Sequence, residues 1–164
     1  MSLPRDLVEM LSVFASDDVR YLVIGGHAVS LHARPRSTKD LDVWLDAEPN
    51  NIARACAALI RFGVPRAIAA QLEAAGAEDI VWIGRIPARV DFFKSAPGVK
   101  FARAWDRRVQ SEIEGVVVHF IGREDLIANK RAVARPQDLR DVRALERTAT
   151  TKPSNPRVRK SNKR

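Results

Sequence analysis

Two aspartates separated by one leucine, Asp40-Leu41-Asp42, head an apolar run that continues through Val43, Trp44 and Leu45. In an extended strand successive side chains leave on opposite faces, so Asp40 and Asp42 share one face while Leu41 and Val43 share the other. Carboxylates this close repel each other unless a cation or a set of donors sits between them. Hard divalent cations such as Mg2+ take carboxylate oxygens and keep waters that substrate phosphates can replace. The bland alternative is a solvated strand end that binds nothing.

Upstream, Gly25-Gly26 closes a second apolar run and is followed by His27, with Arg36 and Thr38 just before the acids. Glycines let a backbone come close to a phosphate, and the start of a following helix offers free N–H donors. Alone the pair reads as a turn. A phosphate cradle beside a metal-binding pair, however, is what nucleotidyl transfer requires.

The third acid of interest is Asp91, in Arg89-Val90-Asp91-Phe92-Phe93, where an unpaired carboxylate among apolar neighbours is expensive. Asp79 competes for this place but opens its strand, where it can face water. Lys130 falls at helical spacing with Leu126, Ile127 and Val133, so it lies on an apolar stripe and must find an anion or snorkel out. Asp138 and Asp141 read as structural, capping the final helix or pairing with Arg140 or Arg36. His32 and His119 read as surface or core residues, and Trp44, Trp82 and Trp105 as packing groups rather than base-stacking platforms.

The elements that must position these groups follow from periodicity and punctuation. Leu7, Val8, Leu11 and Phe14, behind Pro4, predict a helix over residues 3–15. Residues 21–24 read as a buried strand ending in a tight glycine turn, 27–33 as a short helix, and 41–45 as the next strand. Ile52, Ala55, Cys56, Leu59 and Ile60 share one face of a helix over 50–62, and a second helix over 65–75 stops near Gly76. Residues 80–83 and 89–93 make a strand pair joined through Gly84 and Pro87, and 101–107 one or two helical turns. A hairpin over 109–121 turns at Glu114-Gly115, and helices over 123–134 and 136–147, broken at Pro136, close the chain. Hairpins without regular βαβ repetition make the class α+β, as one domain over residues 1–148.

Composition narrows the setting. The 164 residues are 46% hydrophobic and 29% charged, ordinary for a globular chain. The first residues hold no uninterrupted apolar stretch behind a basic start and nowhere do eighteen apolar residues run together, so neither a secretory leader nor membrane association is expected. The single cysteine, Cys56, suits a reducing compartment, and a cytoplasmic protein is expected. The net charge of +8 is concentrated: residues 151–164 hold six basic and no acidic residues, leaving 22 basic against 20 acidic elsewhere, a net +2. Residues 149–164 are therefore expected to form a disordered basic tail, used either to touch nucleic-acid phosphates or to keep the protein soluble. The nearly balanced remainder has no basic stripe, which argues against a plain RNA-binding domain.

Gly25-Gly26-His27-Ala28, followed by Arg34-Pro35-Arg36-Ser37-Thr38-Lys39-Asp40-Leu41-Asp42, resembles the signature of the polymerase-β-type nucleotidyltransferase superfamily. Thirteen residues lie between Gly26 and Asp40, and the resemblance covers roughly residues 21–145. Within the superfamily the chain is most similar to the small bacterial AbiEii-like proteins, many of them toxin–antitoxin components. Glu124-Asp125-Leu126-Ile127-Ala128-Asn129-Lys130 is similar to the helix whose lysine contacts the triphosphate, and residues 135–142 to the end of such domains.

The resemblance implies a nucleotidyltransferase fold, with a mixed sheet flanked by helices and C-terminal helices closing the site. It implies Mg2+-dependent transfer of an NMP from an NTP to a hydroxyl, with pyrophosphate released. Asp40, Asp42 and Asp91 would hold two Mg2+ ions, with Gly25, Gly26, His27, Arg36, Thr38 and Lys130 at the nucleotide. The implied acceptor is either RNA, at the 3′ end of tRNA in a growth-inhibiting toxin, or a hydroxyl of a partner toxin in an AMP-transferring antitoxin. A catalytically silent antitoxin or binding partner is the alternative, opposed by the retention of three clustered acids that would cost stability if unused.

Overall fold

The computed structural model describes residues 1–149. Apart from Ala149, which ends the last helix, the expected basic tail lies outside the described residues. In chain order the elements are α1 (Arg5–Ser16), β1 (Tyr21–Ile24), α2 (Gly25–His32), β2 (Asp40–Leu45), α3 (Pro49–Phe62), α4 (Arg66–Ala74), β3 (Ile80–Ile83) and β4 (Arg89–Phe93). They continue through α5 (Phe101–Asp106), β5 (Val109–Ile113), β6 (Val116–Phe120), α6 (Arg123–Val133) and α7 (Pro136–Ala149). The expected α+β class is the observed one.

Local chemistry sets several of these boundaries. Pro49 occupies the first turn of α3, the Glu48 carboxylate accepts from the Asn51 amide at 3.1 Å, and Gly63 stops the helix at φ +119°. Glu114 and Gly115 both take positive φ, the conformation of a two-residue turn matched to strand twist, and so join β5 to β6. The glycine pair departs from expectation. No turn separates β1 from α2, because the helix begins at Gly25 itself with Ile24 as its cap. Gly25 makes the change of direction within one residue, at φ +66°.

The strands form one sheet in the order β3-β4-β2-β1-β6-β5. β2 runs parallel to β4 and β1 parallel to β6, while the other neighbours are antiparallel. Leu41, Val43, Leu45, Val90 and Phe92 fill one face, over which α1, α3 and α4 pack, with Phe14 meeting Tyr21 and Phe92. On the other face Phe101 of α5 sits edge-on to Trp44, and α2 packs on β2, α6 and α7. That layer leaves the β2-β4-β3 end of the face open, where the acids lie. Among the described residues no helix is long and apolar enough to cross a membrane.

Candidate active site

Asp42 and Asp91 are register partners across the parallel β2–β4 pair, and Asp40 stands opposite Arg89. Alternation thus puts all three acids and Arg89 on one face. The three acids open into a cleft of about 730 Å³, with Gly25, Lys130, Arg135 and Asp138 also in its lining. Asp42 is held protonated up to about 7, chiefly because burial disfavours its charge and then because Asp91 and Asp40 repel it; the positive fields of Lys130 and Arg135 offset only part of this. The Asp40 Oδ1 is buried without a hydrogen bond.

Each glycine has a separate steric reason. A Cβ at Gly25 would lie 2.0 Å from the Asp42 Oδ2, so any side chain there would expel the carboxylate. A Cβ at Gly26 would lie 2.7 Å from the Thr38 Oγ1 and 3.2 Å from the Arg36 Nη2, so this glycine makes room for the segment leading into β2. Thr38 Oγ1 in turn donates to the Asp40 carbonyl at 3.2 Å.

The wall of the cleft is an ion network. Lys130, buried on α6, places its Nζ 3.1 Å from the Asp138 Oδ1 and 2.9 Å from the Asp141 Oδ2. The anion that its buried position demands is therefore supplied by α7. Arg36 reaches Asp141 at 3.1 Å, as one of the expected pairings, while Arg140 bonds Gln137 instead. Asp138, third residue of α7, accepts from the backbone N–H of Arg135 at 3.2 Å and from its Nε at 2.7 Å. Burial alone would raise the Asp138 carboxyl, but the hydrogen bonds from Arg135 and Lys130 outweigh it and hold the group below its ordinary value.

Of the residues singled out in the sequence, Gly25, Asp40, Asp42, Asp91 and Lys130 line the cleft; Gly26, His27, Arg36 and Thr38 do not. His27 is half-buried, and burial followed by the nearby Arg36 charge lowers its proton affinity. His32 bonds the Ile121 carbonyl at 2.7 Å, and His119 packs edge-on against Trp105 and Tyr21. Asp79 also lines the cleft, but its carboxylate accepts from the Gly76 amide at 2.7 Å.

Three features went unread. Arg89 donates to the Asp91 Oδ1 at 2.7 Å and approaches the Asp40 Oδ1 at 3.8 Å, a contact foreshadowed by the same alternation that pairs Asp40 with Asp42. Arg135 at the cleft has no comparable periodic signal. Trp82 corrects the expectation that all three tryptophans pack: Trp44 is buried and Trp105 stacks on Phe101, but Trp82 is 57% exposed on the edge strand β3.

Among the described residues no three His, Cys, Asp or Glu side chains close into a ready-made metal cage, and the Asp91 carboxylate is turned to Arg89. The donor set nevertheless fits a hard divalent cation. It offers carboxylate oxygens from one face, an unbonded Asp40 Oδ1, and in Asp42 a carboxyl that burial and its two acid neighbours keep protonated up to about 7.

Residues 5–150 match the model of a family described as nucleotidyltransferase of unknown function (DUF6036). The match covers most of the chain, and the chain belongs to this family. No curated protein matches it.

Proposed function

We propose that this member of the nucleotidyltransferase family moves an NMP from an NTP to an acceptor hydroxyl in a Mg2+-dependent reaction that releases pyrophosphate. The observation that carries the reading is the convergence of Asp40, Asp42 and Asp91, from two strands, on one cleft beside a glycine that only a side chain's absence keeps open. Asp40, Asp42 and Asp91 would hold two Mg2+ ions, which when bound neutralise triphosphate charge and stabilise both attacking and leaving oxygens.

The chain's own groups supply the rest, since positioning and electrostatics dominate phosphoryl transfer. Asp91, on the strand nearest the open edge, takes the acceptor side and receives the hydroxyl proton. Lys130 contributes a positive charge fixed by Asp138 and Asp141, and Arg36 steadies that arrangement through Asp141. Arg135, whose side chain is largely exposed at the cleft, is able to bind two phosphate oxygens at once. Gly26, His27 and Thr38 shape the backbone behind the acids.

The likeness of the motifs to AbiEii-like proteins supports a place in a toxin–antitoxin system, with the 3′ end of tRNA or a partner protein's hydroxyl as acceptor. The test is label transfer from each α-labelled NTP with Mg2+, offering total tRNA and cell lysate, for wild type beside Asp40→Ala and Asp91→Ala. Transfer by the wild type that is lost in both folded variants is the expected result. Absence of both transfer and Mg2+-dependent NTP binding in the wild type would overturn it and leave the catalytically silent binding partner.

A further inference from the structure

Trp82 is the register partner of Asp91 across the antiparallel β3–β4 pair. Indole and carboxylate therefore leave the sheet on the same face, about 4.8 Å apart in strand spacing. Trp82 is 57% exposed and Ile80, two residues earlier on that face, is 48% exposed. An indole left this open on a sheet face forgoes a large apolar burial. The ring is also held in a defined setting. The Arg89 guanidinium lies 5.1 Å from its centroid and is itself anchored to Asp91 at 2.7 Å. Asp91, Arg89 and Trp82 thus form a ladder leading out of the acid cluster, and its outer rung is an exposed π-face beside a fixed positive charge.

We infer that Trp82, with Arg89 beside it, is the stacking platform for the terminal base of a single-stranded RNA acceptor. The inference deepens the nucleotidyl-transfer reading and rests on it for the role of Asp91. Aromatic side chains bind unpaired bases of any sequence through their π-faces. The one-strand offset favours a nucleotide over a tyrosine. In a nucleotide the stacking ring and the acceptor hydroxyl are separated by a ribose, so a base over Trp82 sets its sugar hydroxyl over β4, at Asp91. In a tyrosine the hydroxyl belongs to the ring, and stacking that ring on Trp82 holds the oxygen over β3, short of Asp91. A terminal hydroxyl is uncharged as well, which lets it approach carboxylates that repel an internal phosphate.

The experiment measures fluorescence anisotropy of a 5′-labelled oligoribonucleotide with an unpaired 3′ end, and of the same strand lacking its terminal base. Wild type, Trp82→Ala and Trp82→Phe are compared with Mg2+ and a non-hydrolysable NTP present, and NTP binding is followed by calorimetry in the same preparations. Trp82→Ala is expected to weaken binding roughly 10-fold, and Trp82→Phe to recover most of it. The strand without its terminal base should bind wild type as weakly as the intact strand binds Trp82→Ala, while NTP binding stays equal in all three proteins. Equal affinity of wild type and Trp82→Ala for the intact strand, equal affinity of wild type for the two strands, or transfer to protein and not RNA overturns the platform. Loss of NTP binding in the wild type sinks the nucleotidyl-transfer reading separately, since the comparison of the two strands does not depend on it.

Discussion

The floor and the wall of the cleft carry charge in opposite ways. On the wall, Lys130, Arg36 and Arg135 surround Asp138 and Asp141, and each carboxylate has at least two cationic side chains within ion-pair distance. On the floor, one guanidinium, Arg89, serves both Asp40 and Asp91, and Asp42 keeps its proton up to about 7 through burial and the repulsion of those two acids. A balanced buried network holds α6 to α7 and fixes architecture. An unbalanced one at an opening is the kind of arrangement that the proposed cation site calls for.

Mutations break this contrast most sharply at the extremes. Removing Asp91 or Asp40 as alanine should lower nucleotidyl transfer roughly 1,000-fold, the scale of several kcal/mol of lost transition-state charge stabilisation. Urea unfolding of these variants should stay within about 1 kcal/mol of wild type. Lys130→Met should do the reverse to the fold, because Asp138 and Asp141 are left buried around no central cation. A loss of about 3–5 kcal/mol is expected in urea unfolding, and a loss under 1 kcal/mol would show that the network is not structural.

Asp42→Asn sharpens the comparison through pH. The folded carboxyl binds its proton up to about 7, against an ordinary value of 3.8, so the folded state holds a proton that the unfolded chain releases in that window. Wild-type stability therefore falls as pH rises from about 4 to about 7, and the penalty persists above it. Without metal, Asp42→Asn should be more stable than wild type by on the order of 4 kcal/mol near pH 8 and by little near pH 3. Equal stabilities at both pH values would remove the claim of unbalanced charge. The smallest effect is expected at Arg36→Lys, which keeps the charge on Asp141 in a partly exposed pair and should cost about 1 kcal/mol or less in thermal unfolding.

The parts of this arrangement that depend on near neighbours were readable in the sequence. Apolar runs bounded by glycine and proline mark β1, β3 and β4 to the residue, and alternation puts Asp40 and Asp42 together. Family resemblance on the glycine pair and the acids led to the nucleotidyltransferase superfamily, which the match over residues 5–150 supports, while the narrower AbiEii-like assignment rests on the motifs alone. What was not readable depends on strand order and on distant partners. Trp82 looks like any apolar strand residue until β3 is known to be the edge. Lys130 announces a need for an anion, but only the packing of α7 on α6 shows that the protein itself meets it. The glycine pair illustrates a third case, where the residue type was informative and the expected turn was absent, because Gly25 absorbs the whole bend.

The parallel pairing of β2 with β4 also sets a timetable. Parallel neighbours cannot be joined by a tight turn, and residues 46–88, holding α3, α4 and β3, are made before Asp91 can come beside Asp42. A chain emerging from the ribosome thus presents Asp40 and Asp42 long before the third acid, and longer still before α7 secures the wall. Under the proposed function, transfer that draws on all three acids waits for β4 to join β2, so a chain that ends before β4 lacks the complete site.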